Sequence, residues 1–402
     1  MDEYEIINGK KYKKCKENQI RNPITRRCIN KDKKTAKNLE KILEQKRPKS
    51  LIKYVKKRNK REKKLSPIKE ETPPIKDRIL LYEKINKLLN IDVRRNDYCM
   101  RLISKKPEYK IGDIILKKQI GSNSINGIVF YSNIKKYEFA SKLVLNNDGT
   151  KNELHIFSLL TDAVLKKRCP HFPILYGDMV CNKFEDDENL SFYPRVIRMN
   201  KKYSYHLILT ELANGDLSNF MKEMNKPDNI YLNTLVQVYL SLMFFYKETK
   251  CFHNDAHWDN FIYYKIDKGG YYHYEIFGEN YYLENLGYLW VIWDYDASIP
   301  FKKNEISLIR DFGRIIYAFL PSNYSGMIRM KNYKISSKSL NKINYIYTII
   351  RYYNEKYSQK GMQTIISKLL KTFVKYGLLK SYIKSYERVI NETPYKINIT
   401  QI

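Results

Sequence analysis

The sequence is short of several things, and each shortage excludes something. Six cysteines in 402 residues are too few for a disulfide-stapled secreted scaffold, and a reducing compartment fits them. No apolar run is long enough for a bilayer-spanning helix; Tyr239–Tyr246 and Ile315–Leu320 are among the longest. The start, Met1-Asp2-Glu3-Tyr4-Glu5, has no basic region and no apolar region, so a signal peptide is not expected. Acidic residues are scarce beside basic ones, 43 Asp+Glu against 74 Lys+Arg, which leaves a net charge of +31. Hydrophobic residues make up 43%, enough at this length for a large core, so wholesale disorder is excluded.

The positive charge is uneven. Residues 1–108 carry 34 basic and 15 acidic side chains, whereas residues 109–402 carry 40 and 28. Residues 1–30 hold the pair Cys15 and Cys28. Residues 31–78 are charged and contain Pro48, Pro67, Pro73 and Pro74, which reads as a basic, proline-containing linker. Within it, residues 53–64 hold eight basic side chains and one acid. Such a run repels itself and cannot form a core. It reads either as a solvated linker or as a contact for nucleic acid or another polyanion, since each cation near a phosphate releases counterions. Residues 79–108 are expected to be helical, with Ile79, Leu80, Ile85, Leu88 and Leu89 near helix spacing.

From about residue 109 the pattern turns globular. Ile114–Ile120, Ile128–Ile134, Glu138–Leu145 and Tyr205–Glu211 read as strands, and helical periodicity dominates from about 216. Between 261 and 294 strand-like runs return. Gly269-Gly270 separates Phe261–Ile266 from Tyr271–Phe277, which predicts a hairpin. Strands followed by helices predict an α+β protein with two lobes, a β-rich one over about 109–212 and a helical one over about 213–390.

The chemistry gathers in His253-Asn254-Asp255-Ala256-His257-Trp258-Asp259-Asn260. An Asp and an Asn five residues apart in one loop suit phosphoryl transfer. The carboxylate of Asp255 can orient an attacking hydroxyl and take its proton, and the Asn260 oxygen can bind Mg²⁺. His253 and His257, with Cys251 nearby, offer a zinc reading of the same residues. The segment resembles the catalytic loop of the protein-kinase-like superfamily, H-R-D-x-x-x-x-N. His253, Asp255 and Asn260 match, and Asn254 replaces the arginine.

Other parts of that resemblance follow in order. Ile120-Gly121-Ser122-Asn123-Ser124-Ile125-Asn126-Gly127-Ile128 resembles the glycine-rich loop that covers the phosphates of ATP, with only two glycines. Phe139-Ala140-Ser141-Lys142 resembles the V-A-I-K strand, which implies that Lys142 holds the α- and β-phosphates. Glu153 opens a helical pattern and is the implied partner of Lys142; a first-turn acid that favours the helix dipole is the alternative. Leu207–Leu217 resembles the hinge between lobes. There Thr210 is the implied gatekeeper, Glu211 and Ala213 the backbone contacts to adenine, and Asp216 the contact to ribose.

Two aspartates compete for the metal. Asp311-Phe312-Gly313 spells D-F-G, but Phe312, Ile315, Ile316 and Phe319 follow helix spacing. Asp294 instead follows the apolar run Tyr288–Trp293 and is the expected Mg²⁺ ligand together with Asn260. Asp311 then fits the helix aspartate that in this superfamily braces the catalytic loop.

Residues Cys15–Ile29 resemble the two-cysteine adaptor motif of large DNA viruses, notably iridoviruses, through Ile20-Arg21-Asn22-Pro23, Thr25, Arg27 and Cys28. The two resemblances together imply a virus-encoded, divergent serine/threonine protein kinase that uses ATP and Mg²⁺ on protein substrates. They place it in the host-cell cytoplasm or the virion, with the basic stretch pointing also to the nucleus. The adaptor segment implies docking to another viral or host protein. Two departures keep other functions open. His257 stands where such kinases usually carry lysine, and only sixteen residues, 295–310, lie between Asp294 and Asp311. A small-molecule phosphotransferase or a pseudokinase scaffold on the same fold are the alternatives.

Overall fold

The computed structural model describes residues 4–7, 10–13, 19–21, 28–30, 74–92, 101–102, 108–120, 127–181, 204–223, 226–301, 306–320, 335–353, 359–391 and 393–398. The chain divides into two units, Met1–Glu71 and Thr72–Ile402. In the first, strands β1 (Tyr4–Ile7) and β2 (Lys10–Lys13) pair antiparallel, as do β3 (Gln19–Arg21) and β4 (Cys28–Asn30). Cys15 and the basic run 53–64 lie outside the described residues.

The second unit is a mixed α+β structure. Its largest sheet has seven strands: β5 (Arg101–Leu102), β6 (Tyr109–Ile111), β7 (Ile114–Ile120), β8 (Gly127–Ile134), β9 (Tyr137–Leu145), β10 (Leu175–Cys181) and β11 (Tyr205–Thr210). Their order is β10-β11-β9-β8-β7-β6-β5, and every pairing is antiparallel. The strands read from the sequence follow alternation or apolar runs, and the sheet uses both. β8 largely alternates between buried and half-buried residues, whereas β11 is buried throughout, as befits an interior strand covered on both faces.

One helix begins earlier than the sequence reading placed it. Helix α1 spans Pro74–Asp92, so residues 74–78 belong to it and not to the linker. Proline suits a first helical position, because its missing N–H would have no partner there. The helix also ends well short of residue 108, where β5 and β6 take over. Ile75, Ile85 and Leu89 are buried, while Leu80 is exposed. Arg78 is buried as well. Its Nε and Nη2 donate to both carboxylate oxygens of Glu211, at 2.8 and 2.7 Å, and its Nη1 to the Pro170 carbonyl at 2.8 Å. Its Nη2 also meets the Phe172 carbonyl, and its guanidinium lies over the Tyr264 ring. Burial opposes this charge, but the Glu211 carboxylate outweighs the opposition and raises the arginine pKa.

The helices that follow are α2 (Asp148–Leu165), α3 (Leu217–Lys222), α4 (Asp228–Thr249), α5 (Ile306–Tyr317), α6 (Ser337–Tyr353) and α7 (Gln359–Lys375). Helix α4 is buried from Tyr231 to Tyr246. The apolar faces of α6 and α7 point inward: Ile343, Ile346, Ile349 and Ile350, and Ile365, Ile366, Leu369 and Leu370 are all buried. No described helix is long and apolar enough to cross a membrane.

The expected hairpin across Gly269-Gly270 is not the one formed. Strand β14 (Phe261–Lys265) pairs with β17 (Tyr288–Ile292), and β15 (Tyr271–Ile276) pairs with β16 (Glu279–Glu284). The two-residue turn Phe277-Gly278 closes the hairpin, both residues having positive φ (56° and 83°), the twist that a tight antiparallel turn favours. Residues 271–284 thus form a hairpin of their own. Strand β19 (Tyr395–Ile397) joins it in parallel with β15, so the fold continues past residue 390. Short strands β12 (Gly215–Asp216), β13 (Cys251–Phe252) and β18 (Ile299–Pro300) complete the set, with β12 on β14 and β13 on β18. Cys169 and Cys251 are free, and Cys181 is disulfide-bonded, which departs from the expectation of wholly reduced thiols.

Two outcomes follow from buried charge and buried imidazole. Arg78→Ala leaves the Glu211 carboxylate buried without its partner and should cost about 3–5 kcal/mol in urea unfolding; a loss under about 1 kcal/mol would contradict the burial. His171 is fully buried, its Nδ1 3.0 Å from the Trp290 carbonyl and its Nε2 3.1 Å from the Tyr274 hydroxyl. Burial pushes its pKa down to about 4. The unfolded chain therefore binds the proton first as pH falls from about 6.5. The stability that His171 contributes at pH 7 should fall by about 3 kcal/mol once pH reaches 4, and the difference between wild type and His171→Gln should show that loss.

Candidate active site

Lys142 sits on β9 between two neighbours, opposite Val129 of β8 and Ile208 of β11. Its side chain is almost fully buried. The ammonium donates to Glu153 Oε1 at 2.7 Å and to Asp294 Oδ1 at 2.6 Å, and the Trp293 ring lies 5.2 Å from it. Burial works against this charge, yet the two carboxylates prevail and raise the lysine pKa. Burial pushes Glu153 up, and Lys142 pulls against that shift. Glu153 Oε2 has no partner among the described groups.

The helix that carries Glu153 starts at Asp148. Its N-cap is Asn147, whose side chain accepts the Thr150 N–H at 3.0 Å. Glu153 is thus past the first turn, where a dipole role would fade. Its partner in the structure is the lysine.

Asp294 follows β17 and has φ of +66°. A non-glycine residue in the left-handed region carries roughly 1–3 kcal/mol of strain and persists only where the surroundings hold it. Lys142 supplies one restraint. His253 supplies another, because its Nε2 lies 3.0 Å from the carbonyl of Trp293, the residue before Asp294. A carbonyl can only accept, so Nε2 carries the proton, and His253 Nδ1 has no partner among the described residues. Burial pushes the His253 pKa down to about 4, which keeps the ring neutral. His253 and His257 thus face different partners, against the shared zinc site considered from their spacing, and no metal-type cluster of three His, Cys, Asp or Glu side chains occurs among the described residues.

The loop around Asp255 is held from several sides. Asn254 takes φ of +61°, which asparagine tolerates better than arginine does. Its Nδ2 donates to the Ala297 carbonyl at 3.1 Å. Asn260 Nδ2 donates to the Asp255 backbone oxygen at 2.9 Å and lies 3.4 Å from Asp255 Oδ2. The Asn260 amide nitrogen is thus spent inside the loop. His257 Nε2 is 3.3 Å from Asp255 Oδ2, and Arg314 Nη1 contacts Asp255 Oδ1. Burial would raise the Asp255 pKa, but His257 and Arg314 hold it below the ordinary value; His257 is raised in turn, against its own burial, by Asp255.

Asp311 lies fully buried on α5, with Phe312, Ile315 and Ile316 on the buried face that helix spacing predicted. The literal D-F-G string is therefore helical. Asp311 Oδ2 accepts the His253 N–H and the Tyr246 hydroxyl, each at 2.9 Å. Burial pushes its pKa up to about 7, while these donors and the amides of Asn254 and Ala256 pull it down. Asp311 thus grips the loop from helix α5, as the resemblance implied.

The remaining implied contacts divide. Residues Gly121, Ser122, Asn123, Ser124, Ile125 and Asn126 lie outside the described residues. Ile120 ends β7 and Ile128 is buried in β8. Gly127 is needed by packing, since a Cβ there would sit 2.6 Å from Val144 Cγ1 and 2.7 Å from the Leu143 carbonyl oxygen. Thr210 ends β11 and is buried. The Glu211 side chain is consumed by Arg78, and its N–H donates to the Ile174 carbonyl at 3.3 Å, so only its carbonyl is left for an adenine contact. Ala213 is half-buried. Asp216 caps α3, accepting the Asn219 N–H and side-chain amide at 2.7 and 2.8 Å. Its carboxylate, implied for ribose, is engaged within the chain.

Sequence reasoning missed Arg78, Arg314, Tyr246 and Trp293. Arg314 carried a usable signal: it lies three residues after Asp311 and so on a neighbouring part of the same helix face. Arg78 carried none, because nothing in a charged stretch marks one arginine as buried. No model of a known protein family matches this chain, and no curated protein matches it.

Proposed function

We propose that this chain is an ATP-dependent phosphotransferase with a bilobal, protein-kinase-like fold, and that it transfers the γ-phosphate of ATP to serine and threonine hydroxyls of proteins. The observation that carries the reading is the single ammonium of Lys142 joined to both Glu153 and Asp294. Strand β9 and helix α2, consecutive in the chain, converge there with a turn 152 residues away, bringing together group types that phosphate chemistry uses. In this reading the sheet and α2 form one lobe, and the helices from α3 onward form the other. ATP binds between them, with Thr210, the Glu211 carbonyl and Ala213 beside the adenine.

The residues fit a magnesium ion. Asn260 has its amide nitrogen turned inward, and Asp294 keeps a second carboxylate oxygen beyond the one bound to Lys142. Hard oxygen donors of this kind suit Mg²⁺, which would neutralise phosphate charge when bound. Lys142 orients the α- and β-phosphates. Glu153 holds Lys142 in place, and His253 fixes the backbone that presents Asp294. Asp255, ionised beside Arg314, orients the acceptor hydroxyl and takes its proton.

One observation favours a small-molecule acceptor instead. Strand β18 pairs with β13 only a few residues after Asp294, so little chain is left to form a peptide-docking segment. The adaptor resemblance and the basic run support a role in a virus-infected cell, with docking to a protein through residues 1–30 and to a polyanion through residues 53–64.

The test is transfer of labelled phosphate from ATP to a generic protein substrate, with sugars, choline and aminoglycosides assayed in parallel. Wild-type chain should label protein. Lys142→Ala and Asp255→Asn should each lower kcat by at least about 100-fold. Labelling that persists unchanged in Asp255→Asn would sink the proposal, and turnover of a small molecule alone would move the acceptor class.

A further inference from the structure

The two oxygens of Asp255 are held unequally. Oδ1 is in an ion pair with Arg314, which arrives from α5 and not from the loop itself. Oδ2 has only longer contacts, His257 Nε2 at 3.3 Å and Asn260 Nδ2 at 3.4 Å. Good hydrogen bonds to a carboxylate are shorter, about 2.7–2.9 Å. Oδ1 is therefore committed and Oδ2 is the oxygen with capacity to spare.

Arg314 is itself placed with care. Its side chain is 20% exposed, and the same Nη1 lies 3.4 Å from the Asn254 carbonyl. One turn earlier Arg310 Nη1 reaches Asn254 Oδ1 at 3.3 Å. Between them on the helix Asp311 accepts the His253 N–H. Helix α5 thus grips three successive loop residues, His253, Asn254 and Asp255, by three side chains. The loop has no arginine or lysine of its own at the two positions where the resemblance has one, since Asn254 and His257 stand there.

We propose that Arg314 is a positioning residue for phosphoryl transfer, fixing the Asp255 carboxylate so that Oδ2 faces the acceptor hydroxyl. The inference rests on the phosphotransferase reading above. In the step it serves, the hydroxyl proton passes to Asp255 Oδ2 as the hydroxyl oxygen bonds to the γ-phosphorus. The bond from that phosphorus to the β,γ-bridging oxygen breaks, and ADP leaves with the electron pair. The proton on Asp255 is then released to solvent. Arg314 gives up nothing in this sequence. A guanidinium suits the task because it stays charged and directs its N–H groups in a fixed plane.

The experiment compares full-length wild type with Arg314→Gln, Arg314→Lys and Arg314→Ala. Thermal melting checks folding, and equilibrium binding of Mg²⁺-ATP reports the nucleotide site. Arg314→Gln should lower kcat by about 100-fold, the scale of a small misplacement of a reacting group, with the KM for ATP changed less than about twofold. Arg314→Lys should recover part of the loss, and added guanidinium should partly restore Arg314→Ala. Wild-type kcat in Arg314→Gln, beside a clear loss in Asp255→Asn, would overturn the inference and leave the phosphotransferase reading standing. Equal loss of Mg²⁺-ATP binding and kcat, with no rescue by lysine or guanidinium, would also overturn it, reducing Arg314 to a structural part. Absence of Asp255-dependent transfer in wild type would overturn both.

Discussion

A buried ammonium that must satisfy two carboxylates at once governs this molecule. Lys142 cannot remain charged in the interior without Glu153 and Asp294, and Glu153 does not tolerate burial well alone. The arrangement therefore fixes three things together: the register of β9 in its sheet, the rotation of α2, and the turn after β17. A slip of one residue in β9 would send Lys142 to the other face of the sheet and leave the acids unpaired. The left-handed backbone at Asp294 is the strain this arrangement tolerates.

A second carboxylate does the same for the loop around Asp255. Asp311 takes a hydroxyl from α4 and an amide from the loop while it stands on α5. His253 continues the chain of contacts to the Trp293 carbonyl. Loop, the turn at Asp294 and two helices are thereby joined through largely buried polar groups. Low dielectric strengthens each of these bonds and makes each missing partner costly. Rigidity here serves positioning, since the proposed reaction needs the acceptor oxygen, the phosphate and the base aligned.

Much of this could be read in the sequence where a local pattern reports a physical need. The helix spacing of Phe312, Ile315, Ile316 and Phe319 was enough to remove Asp311 from the metal position, and the apolar run before Asp294 marked a buried strand. Lys142 and Glu153 were legible as a pair only through the resemblance, since the residues alone left a first-turn acid open. What escaped was long-range or electrostatic. The burial of Arg78 depends on a carboxylate 133 residues away, and no local period encodes that. The hairpin was misread because Gly269-Gly270 looks like a turn, while the decisive turn, Phe277-Gly278, needs a positive φ at a phenylalanine. Asp216 looked free for a ligand and instead caps a helix, a role that an aspartate before Leu217 could have announced.

The pairing of β19 with β15 has a consequence for the order of events in synthesis. Tyr274, Glu275 and Ile276 wait for Tyr395, Lys396 and Ile397, which leave the ribosome last among the described strands. This small sheet cannot be complete until residue 397 has been made. Until then the edge of β15 stays open, a template to which any other extended segment could add. The loop around Asp255 and helices α4 and α5 precede this strand in the chain, so they can assemble first and the sheet closes only afterwards.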